Sequence, residues 1–227
     1  MTLNEIAYDL LETVRGTTRL SDDDSISLEL LQYWIINTRA RLIREDLNKG
    51  RSLSENIVQT IPCIPVIEVS ASECCDVPSD CKILRTANRI PRPIELTQKD
   101  LITRVAGTNI SGKGFTIIPY ARVQWAGSSR WTRNTTKAFY HNGYIYLINP
   151  PALTKIDVSE VAQDPREAAQ FANCVGAPCY SDDDNFPLSS WMLPIMKDMI
   201  LKNELRIAAE GISDTKNDEK SNPERTT

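Results

Sequence analysis

Apolar residues recur at helical spacing near both ends of the chain and in strand-like runs between them. The longest helical pattern occupies residues 25–49, which contain no Pro or Gly. Leu28, Leu31, Ile35 and Leu42, with Thr38 in the gap, step by three and four and so share one side of a 3.6-residue helix. Leu30, Trp34 and Ile43 widen the stripe, and Glu29, Arg39, Arg44 and Glu45 are expected to face water. Asp22, Asp23 and Asp24 precede it, where carboxylates accept from free N–H groups and suit the positive end of the dipole. Asn48 and Gly50 follow it and tolerate a left-handed C-cap. A shorter helix is marked by Ile6, Leu10 and Val14, with Thr2 and Glu5 as a capping box and Gly16 as its stop.

From Ile57 the period changes. Pro62 and Pro65 exclude continued helix, and residues 61–71 read as extended, β-branched chain. Residues 73–81 predict a loop, residues 82–86, 101–105 and 115–125 predict strands, and residues 137–149 predict a hairpin turning at Asn142-Gly143. A further strand is expected over 152–162. Asp164, Pro165 and Glu167 then have the order of an N-cap, N1 and N3 opening a helix to about residue 173. A last amphipathic segment carries Leu188, Trp191, Met192, Ile195 and Met199, with Pro194 requiring a late start or a kink. The pattern predicts an α+β protein with three to six antiparallel strands. In this reading residues 1–60 and 161–210 form one helical bundle, residues 61–160 an inserted antiparallel β domain, and residues 211–227 a polar tail that orders only on contact.

Composition narrows the chemistry. A net charge of −4 and 41% hydrophobic residues are ordinary for a soluble domain. No run of about 18 apolar residues exists, so no membrane partner is expected. The first residues lack the basic flank and apolar block of a signal peptide, which leads one to expect a cytosol-like compartment. Six cysteines (Cys63, Cys74, Cys75, Cys81, Cys174, Cys179) have no C-x-x-C spacing, and only one His accompanies them. Reduced thiols are therefore expected, and neither metal nor cofactor. Gly107 to Gly114 resembles a phosphate-binding loop, but Gly114 stands where the motif needs Ser or Thr, and a strand-like run follows. His141, at the expected hairpin tip, is the only histidine, so no catalytic set can be assembled around a second one. An enzyme is not expected.

The distribution of charge says more. Residues 82–137 hold eleven Lys and Arg against two acidic residues, +9 in all. Residues 150–227 hold fourteen acidic against eight basic residues, −6 in all. Arg85, Arg89, Arg92, Arg104, Lys113, Arg122, Arg130, Arg133 and Lys137 are the candidate basic contacts. With Phe115, Tyr120, Trp125 and Trp131 among them, they could hold single-stranded nucleic acid by charge and stacking. They could equally face duplex DNA, or meet the acidic part of a second copy head to tail. Scattered solvated charge is the fourth alternative.

Residues 164–171 (Asp-Pro-Arg-Glu-Ala, then Phe171), Cys179-Tyr180 through Pro187-Leu188, the segment 195–207 and the tail 213–218 resemble head–tail connector proteins of crAss-like short-tailed phages. The 81–86 segment before Ile90-Pro91 and the long early helix fit the same picture. The resemblance implies a virion ring of twelve copies beneath the portal, assembled in the host cytoplasm and passing the genome through its lumen. Its implied partners are other copies of itself, the portal, further neck or tail proteins and non-specifically contacted DNA. It also implies a tail reaching a neighbour, here with Ile212, Asp214, Asn217 and Asp218 as docking residues. It transfers no catalytic residue.

Overall fold

The computed structural model describes residues 1–17, 26–70, 83–97, 99–108, 112–126 and 135–205. Helix α1 spans Leu3–Thr17 and opens on the expected capping box. The Glu5 N–H donates to Thr2 Oγ1 at 3.1 Å, and the Thr2 N–H donates to Glu5 Oε2 at 2.8 Å. Helix α2 spans Leu28–Asn48. Its N-cap is Ser27, whose Oγ accepts from the Leu30 N–H at 3.1 Å; Asp22 to Asp24 lie outside the described residues. Gly50, at φ 79°, closes the far end by donating to the Leu47 carbonyl at 3.0 Å.

Seven strands follow: β1 (Gln59–Val69), β2 (Ile83–Thr86), β3 (Ile102–Gly107), β4 (Thr116–Ile117), β5 (Lys137–His141), β6 (Tyr144–Ile148) and β7 (Lys155–Glu160). They form one sheet in the order β3-β7-β1-β2-β6-β5-β4, antiparallel except for β4 on β5. The two edges approach one another, and the Phe115 N–H donates to the Val105 carbonyl at 2.7 Å. The sheet is thus an almost closed barrel. β1 carries two prolines although it lies between partners, and their positions explain why that is tolerated. Pro62 falls in the bulge where the register on β7 shifts between Ile61 and Ile64. Pro65 falls where the strand passes from β7 to β2, whose pairing begins at Val66.

Side chains of the central strands alternate between two cores, as a period of two demands. On β6, Ile145 and Leu147 enter the barrel with Ile61, Val105, Ala138 and Val158, while Tyr146 and Ile148 pack outside with Ile83 and Phe139. That outer layer is covered by a 3-10 helix, Tyr120–Trp125, through Val123 and Ala126. α1, the first half of α2 and helix α3 (Met192–Met199, with a π turn over Ile200–Glu204) share a third cluster. Pro194 lies in the first turn of α3, where no intrahelical N–H is needed, so the helix starts late instead of kinking. The second half of α2 joins the helices to the sheet through Ala40 and Ile43, packed with Ile94, Leu101 and Val161.

Four expectations are corrected. The fold is not a helical bundle with an inserted antiparallel β domain: the barrel-like mixed sheet is the body, and the three helices pack together beside it. Residues 115–125 are not one long strand. Only Thr116–Ile117 pairs, because Pro119 caps the 3-10 helix, where the Arg122 N–H donates to its carbonyl at 2.9 Å. Arg39 does not face water, since it is 0% exposed. Its Nε donates to the Pro187 carbonyl at 2.7 Å and one terminal nitrogen donates to the Ala162 carbonyl at 2.8 Å, with Phe186 5.6 Å beneath the guanidinium. Burial pushes the Arg39 guanidinium down to about 9, so it stays charged at neutral pH. Finally, Cys63 and Cys174 are not free thiols but a disulfide. The bulge turns Cys63 to φ 58°, with its N–H on Asp157 Oδ1 at 2.9 Å, and sets the two Cα atoms 5.3 Å apart. Cys179 is free and half-buried; Cys74, Cys75 and Cys81 lie outside the described residues.

Candidate functional site: the basic aromatic surface and the open seam

The β5–β6 hairpin positions an aromatic surface. Its turn is as expected, with Asn142 at φ 50° and Gly143 at φ 88°, the positive pair that a two-residue hairpin loop needs. Cross-strand register then places Phe139 opposite Tyr146 and His141 opposite Tyr144. Phe139 stacks on Tyr146 at 5.1 Å, and Tyr144 meets Tyr146 edge-on at 6.5 Å. His141 does more than occupy a hairpin tip: its ring stacks on Tyr120 of the 3-10 helix at 3.9 Å and 5°. That contact ties the helix to the hairpin, and nothing in the expected turn chemistry pointed to it.

The basic candidates divide. Arg85 on β2 and Arg89 beyond it both lie over the Tyr144 ring, at 4.4 and 5.8 Å. Arg92 is exposed and paired with Glu95 at 2.7 Å, which raises the guanidinium further and lowers the carboxyl. Arg104 is exposed on β3 and donates to the Gly112 carbonyl at 3.2 Å; Lys113 and Arg122 are exposed. Lys137 is buried, its ammonium donating to the Ala126 carbonyl, so it presents no charge at the surface. Arg130, Arg133 and the tail residues Ile212, Asp214, Asn217 and Asp218 lie outside the described residues. The phosphate-loop lookalike continues from Gly114 through Phe115 into β4, without the helix that a phosphate would need.

Two surface grooves adjoin this region and share Tyr140. The larger, about 620 Å³, lies at the seam of the barrel, between Ile102 of β3 and the Ile117 to Tyr120 run. Here the two edges have separated, and Lys99, Asp100 and Arg122 stand at the rim. The smaller, about 450 Å³, is lined by Arg89, Arg92, Glu167 and Phe171. Neither gathers a nucleophile with a base, and no group of three His, Cys, Asp or Glu able to hold a metal occurs among the described residues. Sequence reasoning missed one titratable group. Glu160, at the end of β7, is 0% exposed, and neither carboxylate oxygen has a described partner. Burial, and then the Glu167 charge, raise its carboxyl well above the usual range.

The chain matches the model of the phage tail ring protein 2 family over residues 5–223 and belongs to that family. It is thus a component of a phage virion, as the resemblance in its C-terminal third implies. No curated protein matches the chain.

Proposed function

We propose that this chain is a non-catalytic ring subunit of the head–tail connector, present in twelve copies below the portal and surrounding the DNA path. The observation that carries the reading is the family match over residues 5–223, since a tail ring needs copies that bind one another. The charge asymmetry along the chain supports it: a basic central segment and an acidic C-terminal segment are of opposite sign, as the two unlike surfaces of a head-to-tail ring contact would be. In this role Arg89, Arg104, Lys113 and Arg122 serve mainly contacts between subunits. DNA passing through the lumen is touched weakly, because a tight grip would stall its release. Imaging of intact particles tests the proposal. Twelve copies around the tail axis directly beneath the portal is the expected result, and a position away from the portal counts against it.

A second reading is favoured by one feature, the Tyr144 ring beneath Arg85 and Arg89. Such a cation-covered aromatic suits a nucleic-acid-binding module. Titration with DNA over a salt series separates the two. Weak binding at every salt concentration agrees with the ring subunit, and nanomolar binding that falls steeply with salt favours the module.

A further inference from the structure

Glu160 and Gln59 are directly opposed across the antiparallel β7–β1 pair, so their side chains leave the same face of the sheet. That face is the inner one: Ile156 and Val158 on β7 and Ile61 on β1 share the alternation and all enter the barrel. The neighbouring pair, Thr60 and Ser159, holds its hydroxyls 2.9 Å apart, which shows how close this register brings opposed side chains. Both Glu160 carboxyl oxygens and Gln59 Oε1 are out of water with no described partner. The Gln59 amide nitrogen is already committed. It donates to the Pro165 carbonyl at 3.2 Å, at the head of a second 3-10 helix, Pro165–Gln170. What Gln59 has left is an oxygen that only accepts, and an ionised carboxylate opposite it would also only accept. A carboxyl that keeps its proton has one O–H to give.

We infer that the Glu160 carboxyl donates a hydrogen bond to Gln59 Oε1, so that acid and amide form a pH-released latch holding the Pro165–Gln170 helix against the end of the barrel. The surroundings keep the proton in place. Burial and the Glu167 charge oppose ionisation of Glu160, and Ile102, its opposite number on β3, brings no charge. Tyr140 of β5 packs against the same core, and burial, Glu160, Asp100 and Glu95 all raise its hydroxyl. Arg92, which acts on Tyr140 in the other sense, is paired with Glu95, and its backbone N–H donates to Glu167 Oε2 at 2.9 Å. Loss of the Glu160 proton leaves buried acceptors facing one another, which drives the Gln59 side chain away and frees the Pro165 carbonyl. Glu167 and Gln170 of the latched helix line the smaller groove together with Tyr140, so release alters that surface. The inference is independent of the ring reading.

NMR of the full chain over a pH series, with Glu and Gln side chains isotope-labelled, tests the bond. The Glu160 carboxyl signal, assigned through its own backbone resonances, is expected to stay at its protonated position after the exposed glutamates have ionised. The Gln59 amide signal is expected to move in step when Glu160 titrates. Hydrogen exchange reads the latch through the Glu167 and Phe171 amides, which donate to the Asp164 and Ala168 carbonyls. Relative to intrinsic exchange, their protection is expected to fall about tenfold in the wild type through that titration. Glu160→Gln, whose amide can donate as the acid does, is expected to keep the protection at every pH. Glu160→Met, which cannot donate, is expected to show the lowered protection throughout. A Glu160 signal that ionises with the exposed glutamates, a Gln59 signal that ignores the titration, or a fall in protection that persists in Glu160→Gln overturns the inference.

Discussion

Arg39 illustrates how one side chain joins parts of the chain that are far apart in sequence. Its two described hydrogen bonds reach the carbonyls of Ala162 and Pro187, so it ties α2 both to the chain leaving β7 and to the segment entering α3. Arg39→Ala would leave both carbonyls unpaired beside a cavity. The expected cost is about 3–5 kcal/mol, read as a lower urea midpoint at unchanged slope. Arg39→Met keeps most of the volume and is expected to cost less. The position was in fact marked by spacing: Arg39 lies four residues from both Ile35 and Ile43, on the buried stripe, and its charge led to the opposite reading. Glu160 makes a prediction of the other sign. Its carboxyl is raised in the folded chain and ordinary in the unfolded one, so the folded state holds the extra proton. Stability is complete below the ordinary carboxylate range and falls as pH rises through the raised value. The Glu167 charge adds to the rise of this carboxyl, and Glu160 in turn helps raise the Tyr140 hydroxyl. Glu160→Gln is expected to remove the fall, so across a pH series that starts at the ordinary carboxylate range and rises, the wild-type urea midpoint should decline more than that of the variant.

Among the elements, those specified by local chemistry were legible. The capping box of α1 and the Asn142-Gly143 turn each depend on a few adjacent residues, and both form as read. Gly143→Ala tests the turn. Its φ of 88° opposes any side chain, and a Cβ there would stand 3.3 Å from the Arg89 side chain. The expected loss is about 1–2 kcal/mol, seen as a thermal midpoint lower by about 2–8 °C. The run after Gly114 was less legible for a physical reason. Phe115 to Ile118 has strand composition, but a strand needs a partner along its length. Thr116–Ile117 keeps one on β5, and the Ile118 N–H still donates to the Ala138 carbonyl at 2.9 Å, before Pro119 diverts the chain.

For the molecule as a whole, the excess of basic residues in the middle of the sequence needs only counting, whereas closure of the sheet was not readable. Gln59 pairs with Glu160 and Ile83 with Ile148, partnerships that no local pattern encodes. Helical periodicity at both ends therefore suggested a bundle, and long-range pairing made a barrel. The seam left between β3 and β4 shows that closure is incomplete, and it is the part of the sheet the sequence least foretold.

One covalent bond changes how the whole chain bears load. Cys63 and Cys174 are 111 residues apart, and β2 through β7 all lie between them. Tension applied at the two ends runs through the sulfurs and bypasses that intervening chain. In an optical trap, adding a reductant is expected to lengthen the fully stretched molecule by on the order of 350–400 Å. An equal extension with and without the reductant would mean that the strands, and not the sulfurs, carry the pull.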